Sequence, residues 1–507
     1  VGRKILFVTT DQQRYDALGC NGGKIARTPV ADGLAAAGIR YTRAHAQSVV
    51  CMPARATMLT GQYVRTHGVT MNGIPLPADA PSVAQHLREH GYRTALIGKA
   101  HFEPALDLER QFPDNWFASK GEFGPAHGFQ HLELAMHGAQ GPWHYPRWLA
   151  ATRPDLAAGF YPNLTAELKV NHAGGGDTGA CQVQVNPVPK ELYHTDWVAD
   201  RTIAWLQAMP DDADWFCWMS FPDPHHPWDP PADEVKRVPW REIDLPAGYP
   251  GSAEKARQLL EGKPRHWRDW FDGRVVSNYE APAAFVPARM TPDQVREIDA
   301  LTHVENELID EALGRVLAYL DERDWNDHTD VIYTTDHGEF QGDHGLLFKG
   351  PYHVDSLMRL PLIWRPAPYR GESANVVGCP VGQVDLAPTF CRIAGVPVPE
   401  WMQGRPLPLA EDASREHIFT EWDSNVFDID VHVRSLYRDS MLVTIYEQGT
   451  AHDGTEGELY DLKNDPLQRV NLWDDPARRS LRDDLVADLK DNLPPSREPP
   501  LQRVAMV

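Results

Sequence analysis

The chain has 507 residues, 42% of them apolar, and carries a formal charge of −22 at pH 7. The apolar content, with 16 Trp, excludes a disordered chain, and the length allows a large α/β unit plus something smaller. So acidic a surface disfavours nucleic acid and heavily sulfated polymers as partners, yet a local cationic pocket could still take a small anion.

From the N-terminus, Lys4-Ile5-Leu6-Phe7-Val8 reads as a core strand over Ile5 to Thr9 and not as a secretory leader. Pro81 to His90 has helical spacing and ends on Gly91, and Thr94 to Gly98 is the next strand. Residues 102–190, with Phe129, Trp143, Tyr145, Trp148, Tyr161 and a Gly174-Gly175-Gly176 run, follow no period. Thr195 to Met209 reads as a helix with a Thr cap that stops at Pro210, and Trp215 to Ser220 as another strand. Residues 222–290, rich in Pro and Trp, are again irregular; both such segments are expected to wall a pocket. Thr291-Pro292-Asp293-Gln294 carries a capping box, with Pro at the first helical position. From there Val304, Leu308, Ala312, Val316 and Leu320 form a stripe at four-residue intervals, the mark of a core-packing helix. Asp330 to Thr335 completes the strands. The alternation implies βαβ units around a mainly parallel sheet.

Beyond about residue 395 prolines punctuate a connector, Val431 to Tyr446 alternates like a strand, and Ser480 to Leu493 reads as a closing helix capped by Ser480. Six scattered cysteines (Cys20, Cys51, Cys181, Cys217, Cys379, Cys391) show neither a disulfide framework nor CxxC pairs, so a cytoplasmic home is expected. No apolar run approaches the ~20 residues of a membrane span, and no membrane partner is expected.

The chemistry-bearing pieces stand at the ends of these runs. Asp11-Gln12 follows the first strand, Gly98-Lys99-Ala100-His101 the second, and Asp336-His337-Gly338 the last, with Lys349 a loop further on. Between them lie Cys51-Met52-Pro53-Ala54-Arg55 and Pro224-His225-His226-Pro227. Singly, each has a blander explanation: a buried cysteine is usually a small core residue, and an Asp after a strand usually caps the next helix. In this order, however, they resemble the type I (formylglycine-dependent) sulfatases and the related phosphonate monoester hydrolases of the alkaline phosphatase superfamily. Glu458-Leu459-Tyr460-Asp461-Leu462, Asp465-Pro466 and Asn471-Leu472 are similar to the sulfatase tail, with Gln468 where Glu is usual.

The resemblance implies an alkaline-phosphatase-like α/β/α sandwich with a large mainly parallel sheet over residues 1–395. A smaller C-terminal subdomain with an antiparallel sheet would occupy 396–507. It implies one divalent metal held by Asp11, Gln12, Asp336 and His337, with Cys51, oxidised to formylglycine, as a fifth contact. Two carboxylates, an amide oxygen and an imidazole are softer than an all-oxygen cage, so manganese competes with calcium. One hydroxyl of the hydrated aldehyde would attack the ester and the other would expel the product. Arg55 would hold those hydroxyls, Lys99 and His101 would flank nucleophile and anion, and Lys349 would reach the bridging oxygen. His225 would protonate the leaving group, with His226 as the substitute if the match shifts by one, and Asn72 would contact the transferred group.

The activity so implied is hydrolysis of sulfate monoesters. Lys99 with His101 resembles the sulfatase arrangement, whereas Gln12 and His337 resemble the phosphonate branch. The alternative is therefore a phosphonate monoester hydrolase or phosphodiesterase, promiscuous across both classes, and a remote one is a non-catalytic anion-binding relative. Expected partners are a small anionic sulfate or phosphonate ester, a formylglycine-generating enzyme for maturation, and further copies of the chain in a dimer or tetramer. The tail Pro494 to Val507 is a candidate to lie across a neighbouring subunit.

Overall fold

The computed structural model describes residues 2–505 apart from 106, 108, 110, 139–140, 158–173, 276–280, 282–283 and 427–428, so Tyr161 and the end of the tail lie outside the described residues. The strands are β1 (Lys4–Thr10), β2 (Ile39–His45), β3 (Arg93–Gly98), β4 (His131–Leu134), a short pair β5 (Gly174–Gly175) and β6 (Ala180–Cys181), β7 (Trp215–Ser220), β8 (Thr329–Thr335), β9 (Arg359–Arg365), β10 (Asn375–Val377) and β11 (Val381–Gly382). They are followed by β12 (His417–Val426), β13 (Ile429–Arg438), β14 (Met441–Glu447) and β15 (Gly457–Asp461). Among the described residues, nine strands make one sheet in the order β10-β2-β9-β8-β1-β7-β3-β4, with β11 also on β2. All its pairings are parallel except those of β9 with β2 and β8.

Every residue of β1, β7 and β8 is buried, as expected of central strands covered on both faces. Alternate side chains serve opposite layers. Ile5 and Phe7 join Trp218, Ile332 and Phe390 on one face, while Leu6 and Val8 join Met219, Val331 and Leu308 on the other. Each such side chain, once fully buried, is worth about 1.5–3 kcal/mol. The second face is covered by the Pro292–Glu322 helix, which starts as its sequence requires: Gln294 N–H donates to Thr291 Oγ1 at 3.2 Å and Thr291 N–H to Gln294 Oε1 at 3.0 Å. The Val304–Leu320 stripe is wholly buried.

Some boundaries differ from expectation. The helix expected over Pro81 to His90 is Val83–Glu89, with Ser82 as its cap. The helix expected from Thr195 begins at His194, and the Thr195 hydroxyl donates instead to buried Asp223. Val431 to Tyr446 is not one strand but the hairpin β13–β14. It turns at Asp439-Ser440, both left-handed at φ 52° and 63°. The closing helix is Arg479–Asn492 with Arg478 at its cap, so Ser480 lies inside it.

The strands β12 to β15 form an antiparallel sheet whose face is covered by Leu485 and Leu489 of that last helix. It joins the main body where Glu421 N–H donates to Gln47 O at 2.9 Å and Thr420 Oγ1 to Ala46 O at 2.6 Å. The tail then crosses its own chain: Arg497 N–H donates to Arg65 O at 2.7 Å and Val504 N–H to Gly73 O at 2.9 Å. The six cysteines are all free, and among the described residues no helix is long and apolar enough to cross a membrane.

Candidate active site

Five neighbouring parallel strands, β4, β3, β7, β1 and β8, end along one edge of the large sheet, where an open α/β sheet forms its crevice. Asp11 and Gln12 leave β1, Asp336 and His337 leave β8, Lys99 leaves β3, and His225 follows β7. Into this row points the first turn of the Cys51–Thr60 helix, every residue of which is buried. Cys51 itself is fully inaccessible, with Sγ 3.2 Å from His337 Nε2, 3.7 Å from Asp11 Oδ1 and 3.8 Å from Lys99 Nζ. The thiol thus meets both carboxylate-bearing strand ends.

Arg55, one turn along the same helix, is fully buried. Its Nε donates to Asp336 Oδ2 at 2.9 Å, and its Nη1 to Lys99 O at 2.8 Å and Ser220 Oγ at 2.9 Å. It therefore fastens three strand ends together. Only Nη2, 3.9 Å from Asp11 Oδ2 and without a hydrogen-bond partner, is left to serve the site. Lys99 Nζ donates to Asp11 Oδ2 and, at 2.9 Å, to His137 Nε2.

Burial and the neighbouring Asp336 charge push the Asp11 carboxyl up. Burial opposes the charge on Asp336 too, but His337, Arg55 and Lys99 outweigh it and hold that carboxyl well below the usual range. Burial and Asp11 push the Cys51 thiol up, so a free cysteine here is a protonated, poor nucleophile. Donor atoms of Asp11, Cys51, Asp336 and His337 all lie within 4.8 Å of one another and are buried. Two dry carboxylates, one of them forced toward its neutral form, fit a divalent cation, whose charge would reverse that shift.

Gln12, left-handed at φ 64°, is held from the Lys349 side: its Oε1 accepts from Lys349 Nζ at 2.6 Å, and its Nε2 donates to Glu339 Oε2. A lysine can only donate and a carboxylate accepts, so the orientation of the amide is fixed. Lys349 Nζ also lies 3.0 Å from His225 Nε2. His226 Nδ1 is 3.2 Å from Gln12 Nε2, with its ring edge-on to Phe348, so both histidines of the pair reach the same wall. Asn72 caps the nucleophile's helix. Its Oδ1 accepts from Met52 N–H at 3.0 Å, while its buried Nδ2 has no hydrogen-bond partner. His101, left-handed at φ 53°, borders a neighbouring cavity together with Glu103, Asp114 and Asn115.

Two residues of this site were not anticipated. His137, three residues beyond β4, stacks on His225 with centroids 3.9 Å apart and accepts from Lys99. Burial, then His225 and Lys99, hold its imidazole well below the usual range, so it is neutral. It comes from an irregular segment whose spacing gives no signal. Glu339 locks Gln12, and burial pushes its carboxyl up to about 7; its position two residues after His337 was a signal available in the sequence.

The sequence pattern of the Sulfatase family matches residues 3–396. This chain belongs to the sulfatase family. A second pattern, the C-terminal region of N-sulphoglucosamine sulphohydrolase, matches residues 342–494. This sulfatase is 29% identical to the uncharacterized sulfatase YidJ of Escherichia coli, over 97% of this chain and 88% of that one. It is 26% identical to the multifunctional alkaline phosphatase superfamily protein PehA of Trinickia caryophylli, over 94% and 93% of the two chains. Among solved structures it superposes on the phosphonate monoester hydrolase of Agrobacterium radiobacter with a TM-score of 0.74 at 24% identity, covering 96% of this chain and 95% of that one. The superposition covers the large mainly parallel sheet and its helices, the alkaline-phosphatase-like sandwich expected from the sequence.

Proposed function

We propose that this sulfatase hydrolyses sulfate monoesters of small alcohols or phenols at Cys51, converted to formylglycine by a maturation enzyme. One divalent cation, calcium or manganese, would be held by Asp11, Asp336 and His337, with Gln12 Oε1 alongside; when bound, it supplies charge neutralisation to the transferring group and its nucleophile. The observation that carries the reading is the position of Cys51 Sγ, within 4 Å of Asp11, Lys99 and His337 in a buried cup. An aldehyde at that position, once hydrated, brings an oxygen nucleophile where a buried thiol is protonated and inert.

Contacts support the remaining roles. Lys99 and Arg55 Nη2 place fixed cations beside the nucleophile, where a dry site gives them full effect on developing negative charge. Lys349 would draw density from the leaving oxygen, and His225, its Nε2 3.0 Å from Lys349 Nζ, would deliver the proton that oxygen takes up. His137 positions Lys99. Asn72 Nδ2 is a spare donor for an oxygen of the anion. Gln12 and His337, which resemble the phosphonate branch, favour a second activity on phosphonate monoesters or phosphodiesters in the same pocket.

The test is parallel turnover of an aryl sulfate, an aryl phosphonate monoester and a phosphodiester, with mass spectrometry of the peptide spanning residue 51. We expect the sulfate to give the largest kcat/KM, and a peptide about 18 Da lighter than its cysteine form. A larger kcat/KM for a phosphorus ester would reverse the order of activities, and undiminished turnover by Cys51→Ala would remove the nucleophile.

A further inference from the structure

A second group of metal-ligand type lies beyond the catalytic centre and has no part in the chemistry above. Glu103 follows β3 by five residues, Asp114 opens the Pro113–Lys120 helix, and His127 sits in the turn before β4 at a left-handed φ of 48°. All three are buried, at 5%, 4% and 8% exposure, and one donor atom from each lies within 4.8 Å of the others. His127 Nε2 is 3.0 Å from Glu103 Oε1 and 3.9 Å from Asp114 Oδ2.

Asp114 distinguishes this group from the other buried carboxylates. Asp223 is just as dry, but its oxygens accept from the hydroxyls of Tyr193 and Thr195. Neither oxygen of Asp114 has any hydrogen-bond partner. Protonating it would not help, because a buried O–H with no acceptor is as costly as a buried oxygen with no donor. Ionised, it would stand beside Glu103 with one shared imidazole between two charges; burial and Glu103 push its carboxyl up to about 7. A small cavity adjoins the group, lined by Glu103 and Asp114 together with His101 and Asn115. The missing partner is one that takes lone pairs from two carboxylates and an imidazole at once, in a space with room for a further ligand such as water.

We infer that Glu103, Asp114 and His127 form a second, structural site for a divalent cation of the zinc or manganese class. One nitrogen and two oxygens, with the fourth position open to the cavity, suit zinc geometry. The site would tie the segment after β3, which carries Lys99 and His101, to the helix and turn that lead into β4.

The test is the count of tightly held zinc. Apo wild-type protein is titrated with zinc against a chromophoric chelator, and zinc per chain is measured by elemental mass spectrometry after gel filtration. Wild type should hold two equivalents, while Asp114→Asn and Glu103→Gln hold one fewer. Asp336→Asn, which weakens the catalytic centre, should keep the equivalent that Asp114→Asn loses. A single tight equivalent in wild type that Asp114→Asn retains and Asp336→Asn loses overturns the proposal. So does an equal zinc content in wild type and a folded Asp114→Asn.

Discussion

Arg55 shows how much of the site rests on one side chain. Its guanidinium is fully buried and binds Asp336, Ser220 and the Lys99 carbonyl together. Removing one partner of a buried ion pair leaves an uncompensated charge, which costs about 3–5 kcal/mol. Arg55→Met should therefore lower the urea unfolding free energy by about that amount and abolish turnover. Arg55→Lys, which keeps the charge but not the fork, should recover part of the stability and little of the activity.

His353 provides the pH test. Burial, then Arg434, lowers its pKa from 6.5 to about 3, and its Nδ1 lies 2.7 Å from Ser435 Oγ, between the two sheets. Its folded pKa lies below its unfolded one, so the unfolded chain binds the proton more readily. The stability it contributes is complete above pH ~6.5 and is lost toward pH ~3, by up to about 1.4 kcal/mol per pH unit. His353→Gln should flatten the decline in unfolding free energy between pH 7 and pH 5 by that share; identical slopes in the two proteins would contradict the assignment. At this scale, legibility depended on position. Asp11, Cys51, Lys99 and Asp336 could be read because each sits at a strand end or in a fixed motif. His137 could not, because its approach to Lys99 is a tertiary event with no local spacing.

At the scale of the element, the end of β3 decides where Lys99 stands. Gly98 has φ 108°, and a Cβ there would lie 1.7 Å from Ser220 O, the atom that also accepts the Lys99 N–H at 2.9 Å. Only glycine permits that approach. Gly98→Ala should cost about 3 kcal/mol or more through clash and left-handed strain, seen as a fall in melting temperature together with a loss of kcat. The long helices and central strands were readable because caps and buried runs act locally, as the Thr291 box does. The β13–β14 turn was not, because Asp439 and Ser440 adopt left-handed conformations without the glycine that usually announces them.

At the scale of the whole molecule, the two-layered cover that makes the cup dry also closes it to other proteins. Cys51 is inaccessible in the folded chain. On the proposed reading, an enzyme that oxidises it would have to act before folding is complete. A maturation enzyme added to purified, folded, unmodified protein should leave residue 51 as cysteine. The same enzyme present during synthesis should yield the species about 18 Da lighter. Conversion of the folded protein at a comparable rate would mean that the cup opens on its own.

The path of the tail bears on the timing of that event. Residues 497–505 lie over Arg65 and Gly73, beside the asparagine that buttresses the opening turn of the Cys51 helix. A ribosome delivers this strap long after Cys51. On the proposed reading, the interval between the two emergences is the window for modification, and residues 497–505 are the latch that shuts it.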